Sequence, residues 1–354
     1  MTDTRDLSVE VYETAEPQQP GVEPNPWLVR LGIKGHEELP LNHHAHTQLA
    51  EKVGVPFAYY ERMRKDAPQL FGQNVNHWLQ NEPDRRLIRV AEGHVRAVLS
   101  DRYRVGLDNY NLAFKVAEQA KEHDATVLQC DLSESRMQIR IGVPNAREKV
   151  GEMTAELRAR YSGSNYARRG STLMNIDADY VVPGLLVSNS EVGAGAFRVE
   201  PYVMRLICWN GLIGESSLYK IHVGAKMELG EVVYSDDTLN TADELVWKQV
   251  RDIIDRTFDP AVLKAQVARL RGAKEVPVLK PVTVVDATAV KLRLSDKRRE
   301  DLLRYFSAEG ETLFGLVNGI TRLAQDFTDP DQQSDFERQA GTILATPSLV
   351  GIEA

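Results

Sequence analysis

Residues 126–143 read TVLQCDLSESRMQIRIGV, two apolar-rich runs separated by Ser133, Glu134 and Ser135. Met137, Ile139 and Ile141 alternate with Gln138, Arg140 and Gly142, the two-residue period of a strand. Two runs joined by so short a turn pair antiparallel, so the segment is a hairpin with one apolar face and one face carrying Arg140. RLIRVAEGHVRAVL, residues 86–99, predicts another hairpin turning at Glu92-Gly93. Between them DNYNLAFKVAEQAKEH, from Asp108, places Leu112, Val116 and Ala120 on one helical face. Strands resume in YVVPGLLVSNS, FRVEPYVMRLICWN and SLYKIHVGAKMEL, after a long polar segment from Pro144 to Gly170. Hairpins with helices between them predict an α+β fold with a mixed or antiparallel, hairpin-rich sheet. No GxGxxG or P-loop pattern follows a strand, so no nucleotide cofactor is expected.

The flanks read differently. Residues 1–26 hold Pro17, Pro20, Pro24 and Pro26 among Glu and Gln, the composition of a flexible acidic arm. Residues 27–84 read as a helical N-terminal cap. Asn42 caps one helix, with Leu49 and Val53 on a face and Gly54 at its end; Pro56 opens a second, and Pro68 opens a third that ends near Trp78 and Leu79. Residues 85–236 form the α+β core, and residues 237–354 a helical region packed on it. There Thr241 and Glu244 make a capping box ahead of a stripe of Val246, Val250, Ile253, Ile254 and Phe258. Asp259-Pro260 starts a helix ending at Gly272, KEVPVLKPVTVV reads as a Pro-rich link, and Ser295 caps a further helix. The last two helices lie in ETLFGLVNGITRLAQDF and DFERQAGTIL. Gly315 and Gly319, four apart in the first, predict the close approach of another element.

With 354 residues, 42% of them hydrophobic, the chain is long enough for a sizeable core. Two cysteines, Cys130 and Cys208, exclude a disulfide framework and a cysteine-rich zinc site. No apolar run reaches the ~20 residues of a membrane helix, and the acidic N-terminus lacks the apolar core of a signal peptide. The expectation is a cytoplasmic protein that does not enter a membrane.

Candidate chemistry is sparse. His43 and His46 would share a helix face, but no third metal ligand accompanies them. Asp177 and Asp179, with Glu200 and Lys220, are the set from which a metal-dependent nuclease would be built, although a turn or strand edge explains the two aspartates as well. No serine or cysteine hydrolase signature is present, so no catalytic residue, metal ligand or cofactor is assigned.

Charge is more informative. The net charge is −8, yet residues 85–169 hold 16 Lys plus Arg against 11 Asp plus Glu. RARYSGSNYARRGST, residues 158–172, has four arginines and no acid. Arg158, Arg160, Arg168 and Arg169 suit phosphate contacts, Tyr161 and Tyr166 offer stacking faces, and the small residues let backbone amides approach. A solvated loop has the same composition. Arg96 and Arg104, with Arg85, Arg86, Arg89 and Arg102, would extend the basic surface, Arg96 facing water.

In RLICWNGLIGESS, residues 205–217, an internal strand runs into Asn210-Gly211, where a sharp turn is expected with Trp209 beside it. Val203, Arg205 and Ile207 would share one face, and Met204, Leu206 and Cys208 the other. RLICWNGLI also resembles a strand-and-turn motif of the uncharacterised phage/plasmid-like protein family. AVLSDRYRVGLDN, residues 97–109, and TLFGLVNGITRLAQD, residues 312–326, resemble two further elements of that family, and the resemblance spans roughly residues 40–345. It implies a mobile-element context in a bacterial host, and hence DNA metabolism. Single-strand annealing recombinases of phages, with a similar hairpin-rich core, form rings that hold DNA in a basic groove. The expectation is a non-catalytic, homo-oligomeric protein that binds single-stranded nucleic acid. A metal-dependent nuclease and a host-interaction protein stand as alternatives.

Overall fold

A computed structural model describes residues 2–13, 27–81, 84–100, 103, 107–152, 154–155, 159, 178–208, 210–214, 219–221 and 235–353. Residues 2–13 are not a flexible arm. They form β1 (Thr2–Asp3), a 3₁₀ turn and β2 (Leu7–Glu13). β2 pairs antiparallel with β3 (Trp27–Ile33), and β4 (Leu39–Pro40) completes this sheet. The cause is the alternation Leu7, Val9, Val11. Leu7 and Val9 are buried with Val29 and Leu31, a period-two signal outweighed in the sequence by the prolines that follow. Residues 14–26 lie outside the described residues.

Of three helices here, the third packs on this sheet, the first packs on the hairpin strand His94–Ser100 and the second packs on the other two, so residues 27–84 are helix on sheet and not helix alone. They are α1 (His43–Lys52), α2 (Phe57–Asp66) and α3 (Pro68–Asn81). The Asn42 side chain accepts from the Ala45 N–H, as the N-cap expectation requires. Tyr60 meets Phe71 edge to face at 4.8 Å in their shared core.

β5 (Arg85–Ala91) and β6 (His94–Ser100) form the expected hairpin. Glu92 and Gly93 turn it with φ of 52° and 73°, the two left-handed residues that a tight, twisted hairpin favours. Then come α4 (Asn109–Lys121), β7 (Thr126–Leu132), β8 (Met137–Gly142), β9 (Glu148–Glu152), β10 (Ala178–Asn189), β11 (Phe197–Arg205), β12 (Asn210–Ile213) and β13 (Tyr219–Ile221). The largest sheet runs β12-β11-β10-β8-β7, with β9 beside β10 and β13 beside β11, every pair antiparallel. β9 falls in the stretch read from sequence as a polar segment. The fold is α+β.

One face of this sheet is the expected apolar one. Ile139, Ile141, Leu185, Val187, Phe197 and Val199 pack under Leu112 and Val116 of α4. α5 (Asp236–Thr257) adds Val246, Val250 and Ile254. Ser235 caps α5 by accepting from the Thr238 N–H, so Thr241 lies inside the helix and no capping box forms there. α6 (Pro260–Lys274), α7 (Pro281–Leu292), α8 (Asp296–Glu309), α9 (Leu313–Ala324) and α10 (Pro330–Ala345) complete the chain and share a second core. α7 occupies the second half of the stretch read as a Pro-rich link; Pro281 sits in its first turn, where the missing N–H costs nothing. At Gly319 a Cβ would lie 3.1 Å from the Phe306 nitrogen, so α8 and α9 approach backbone to backbone as the glycine spacing predicts.

The turn after β11 is earlier than expected. Leu206 to Cys208 make it, and Asn210 and Gly211 already belong to β12, opposite Arg205 and Met204. Gly211 is there for room: a Cβ on it would sit 3.0 Å from both the Arg140 guanidinium and the Glu337 carboxylate.

Candidate functional site

Of the residues expected to contact nucleic acid, Arg104, Arg158, Arg160, Tyr161, Tyr166, Arg168 and Arg169 lie outside the described residues. Arg96 is described. It points across the hairpin and donates to Glu191 at 3.3 Å and to the Glu134 carbonyl at 2.7 Å, leaving it 26% exposed instead of facing water freely. Arg86 and Arg89 are held in the same way by Asp84 and Asp108. Arg86, Arg89 and Arg96 of the β5–β6 hairpin are therefore already paired.

The face of β8 carrying Arg140 is not open either. α10 lies across it. Asp331 accepts from Gln138 at 2.7 Å and pairs with Arg136 at 2.9 Å, Glu337 accepts from Arg140 at 2.8 Å, and Arg338 grips Glu200 through both carboxylate oxygens at 2.6 Å. Both Arg140 and Glu337 are buried, so neither competes for an external ligand.

Arg205, the first residue of the stretch that suggested the family, is the centre of a third buried cluster. Its guanidinium donates to both oxygens of Asp179, to Glu309 at 2.8 Å and to the Asn318 amide oxygen at 3.2 Å. Asp179 and Arg205 thus hold the ends of β10 and β11 to α8 and α9. The cluster floors a pocket of about 340 Å³ rimmed by Glu152, Thr154, Lys274, Thr312 and Phe314. The Lys274 ammonium donates to the Val150 carbonyl at 3.1 Å and lies 4.5 Å from the Phe314 ring centre. Burial lowers its pKa, with Asp179 opposing the shift.

Lys274 belongs to a strip of positive charge that no single stretch of sequence contains. α6 docks along β9, and its last turn brings Arg271 and Lys274 to the carbonyls of Lys149 and Val150. Arg147, just before β9, stacks its guanidinium 4.7 Å from the Tyr180 ring centre. Arg147, Arg271 and Lys274 engage rings or backbone oxygens, where the hairpin arginines engage carboxylates. Lys149 pairs with Glu152, and the Asp179 and Glu309 carboxylates act on Lys274 across the pocket. β9 ends at Glu152, six residues before Arg158, so in the chain the strip leads directly into the Arg-rich segment. The available signal was the pair Arg271 and Lys274, three apart in one helical turn; their neighbour in space is more than 100 residues away in sequence.

Among the described residues the alternative sites do not assemble. His46 is buried, hydrogen-bonded to the Tyr60 hydroxyl at 2.9 Å, and held neutral: burial and then the Arg64 charge lower its pKa to about 3. Asp179 and Glu200 are engaged by Arg205 and Arg338, Asp177 lies outside the described residues, and so does the side chain of Lys220. Among the described residues no three His, Cys, Asp or Glu side chains converge on a metal position. No described helix is long and apolar enough to cross a membrane. Compared with known proteins, the chain matches no family model, no curated protein and no solved structure.

Proposed function

We propose that this chain binds single-stranded nucleic acid through its phosphates, without catalysis, as a homo-oligomer in the cytoplasm of a bacterial host. The observation that carries the proposal is the docking of Arg271 and Lys274 along β9, beside Arg147 and immediately before the segment with Arg158, Arg160, Arg168 and Arg169. Phosphate contacts from these groups, with stacking on Tyr161 and Tyr166, suit a ligand read by its backbone. The resemblance to phage- and plasmid-borne proteins supports annealing or recombination as the setting. Arg96 contributes less than its sequence position suggests, because Glu191 already neutralises it.

The test is fluorescence anisotropy with labelled oligonucleotides across a salt series. Each phosphate contact to a single strand contributes about −0.7 to the slope of log K against log salt. Arg271→Glu with Lys274→Glu is expected to weaken binding and flatten the slope by about 1.4, two contacts' worth. No binding at low salt refutes the function. Binding unaffected by the double variant refutes the strip as its location.

The nuclease alternative draws no support from Asp179 and Glu200, since a divalent cation there would have to displace an ion-paired arginine, Arg205 or Arg338, from each carboxylate. Incubation with DNA and Mg²⁺ or Mn²⁺ is expected to leave the substrate intact.

A further inference from the structure

Among the described residues β7 ends the large sheet, and β8 alone pairs with it. A strand with a free row of N–H and C=O groups is a template for another strand unless it is short, strongly bulged or charged. β7 has seven residues, one of them charged, Asp131. Its single irregularity lies between Val127 and Gln129, and Gln129 to Leu132 run in unbroken register against Arg140 to Met137. Cys130 is exposed, and Val127 and Leu132 are 53% and 72% exposed. This apolar row lies opposite Ile141, Ile139 and Met137 of β8, on the face that carries the apolar core.

We propose that a second copy of this chain pairs antiparallel along β7, about a two-fold axis through Cys130. An axis perpendicular to the sheet keeps the apolar face of both copies on one side, so it must fall on a residue and not between two. Charge selects which one. An axis at Asp131 would set two carboxylates opposite each other, which is destabilising. An axis at Gln129 would press the bulge of each copy into the middle of the pairing. At Cys130 the straight stretches overlap, with the bulge of each copy left at the end of the pairing. Gln129, which donates to Asp131 of its own copy at 2.7 Å, faces the partner's Asp131 as amide to carboxylate. Cys130 then faces the partner's Cys130. Directly opposed strand residues have Cα atoms about 4.5–5.5 Å apart, within the ~4.4–6.8 Å that a disulfide spans.

This names the contact behind the oligomer of the proposed function, but it rests on no nucleic acid and is tested without any. The full chain, in reducing buffer, is expected to show a dimer or a multiple of it by light scattering. Mild oxidation links the copies into a covalent dimer on a non-reducing gel. Cys130→Ser abolishes the link and leaves the native mass unchanged, since Cys208 is buried. Leu132→Lys, at a position exposed in the single copy, halves the mass while leaving the far-UV circular dichroism unaltered. A monomer at micromolar concentration overturns the proposal. So does an oligomer that neither links through Cys130 nor responds to Leu132→Lys.

Discussion

Replacing Arg140 by methionine removes a guanidinium that is 8% exposed from a carboxylate that is fully buried. Among the described residues the Glu337 carboxylate accepts from Arg140 at 2.8 Å and from Gln333 at 3.4 Å, with β12 closed against it at Gly211. The buried carboxylate is left without its cation, so the variant should be destabilised by about 3–5 kcal/mol, the usual result of orphaning one partner of a buried pair. The double variant Arg140→Met with Glu337→Met removes both desolvation penalties and should lie within about 1 kcal/mol of the parent. Glu337→Met orphans Arg140 in the same way, so the two single penalties should together far exceed that of the double variant, the signature of strong coupling. Urea unfolding followed by circular dichroism, in a four-member cycle at neutral pH, measures all three quantities. The reasoning also fixes a pH dependence. Burial raises the Glu337 pKa, with Arg140 opposing the shift; without Arg140 it rises further. A group whose folded pKa is raised adds stability below its unfolded pKa and loses it as pH rises through the folded value, so Arg140→Met should recover stability as the pH is lowered. Additive single effects, or an Arg140→Met penalty under about 1 kcal/mol, would mean that the pair is not what fixes α10 to the sheet.

His46 gives a second pH-dependent outcome: with a folded pKa of about 3 against 6.5 for the free ring, the unfolded chain takes up the proton first. That lowers stability as pH falls below 6.5, by about 2 kcal/mol at pH 5, and urea titrations of His46→Gln should lack this component. Gly341→Ala places a Cβ 1.9 Å from the Ile213 carbonyl oxygen, so it should lower the melting temperature in calorimetry by an overpacking penalty of about 1–3 kcal/mol. Phe71→Ala empties the centre of the N-terminal core and should cost about 3–5 kcal/mol in the same assay. The Arg271→Glu and Lys274→Glu pair tests the interface by its salt slope.

Local pattern settled a good part of the fold. The period-two runs of β8, β10 and β11, the left-handed Glu92-Gly93 turn, the Asn42 cap and the Val246, Val250, Ile254 stripe are short-range, and each element formed where its residues ask for it. Where composition was allowed to outvote period, the reading erred: β2 was hidden by nearby prolines, β9 by its polar neighbours, and α7 by Pro281. What no local pattern contains is which charge meets which. Arg140 and Glu337 are 197 residues apart, Arg205 and Glu309 are 104 apart, and Lys274 is 124 from the β9 carbonyl it reaches. A charge's availability depends on what the folded chain sets within about 4 Å of it, because Coulomb attraction in a dry interior far exceeds that in water. The sequence by itself determined the strands, the helices and the number of arginines. Packing α10 on the sheet and α6 on β9 decided which of those arginines are buried in ion pairs and which face outward.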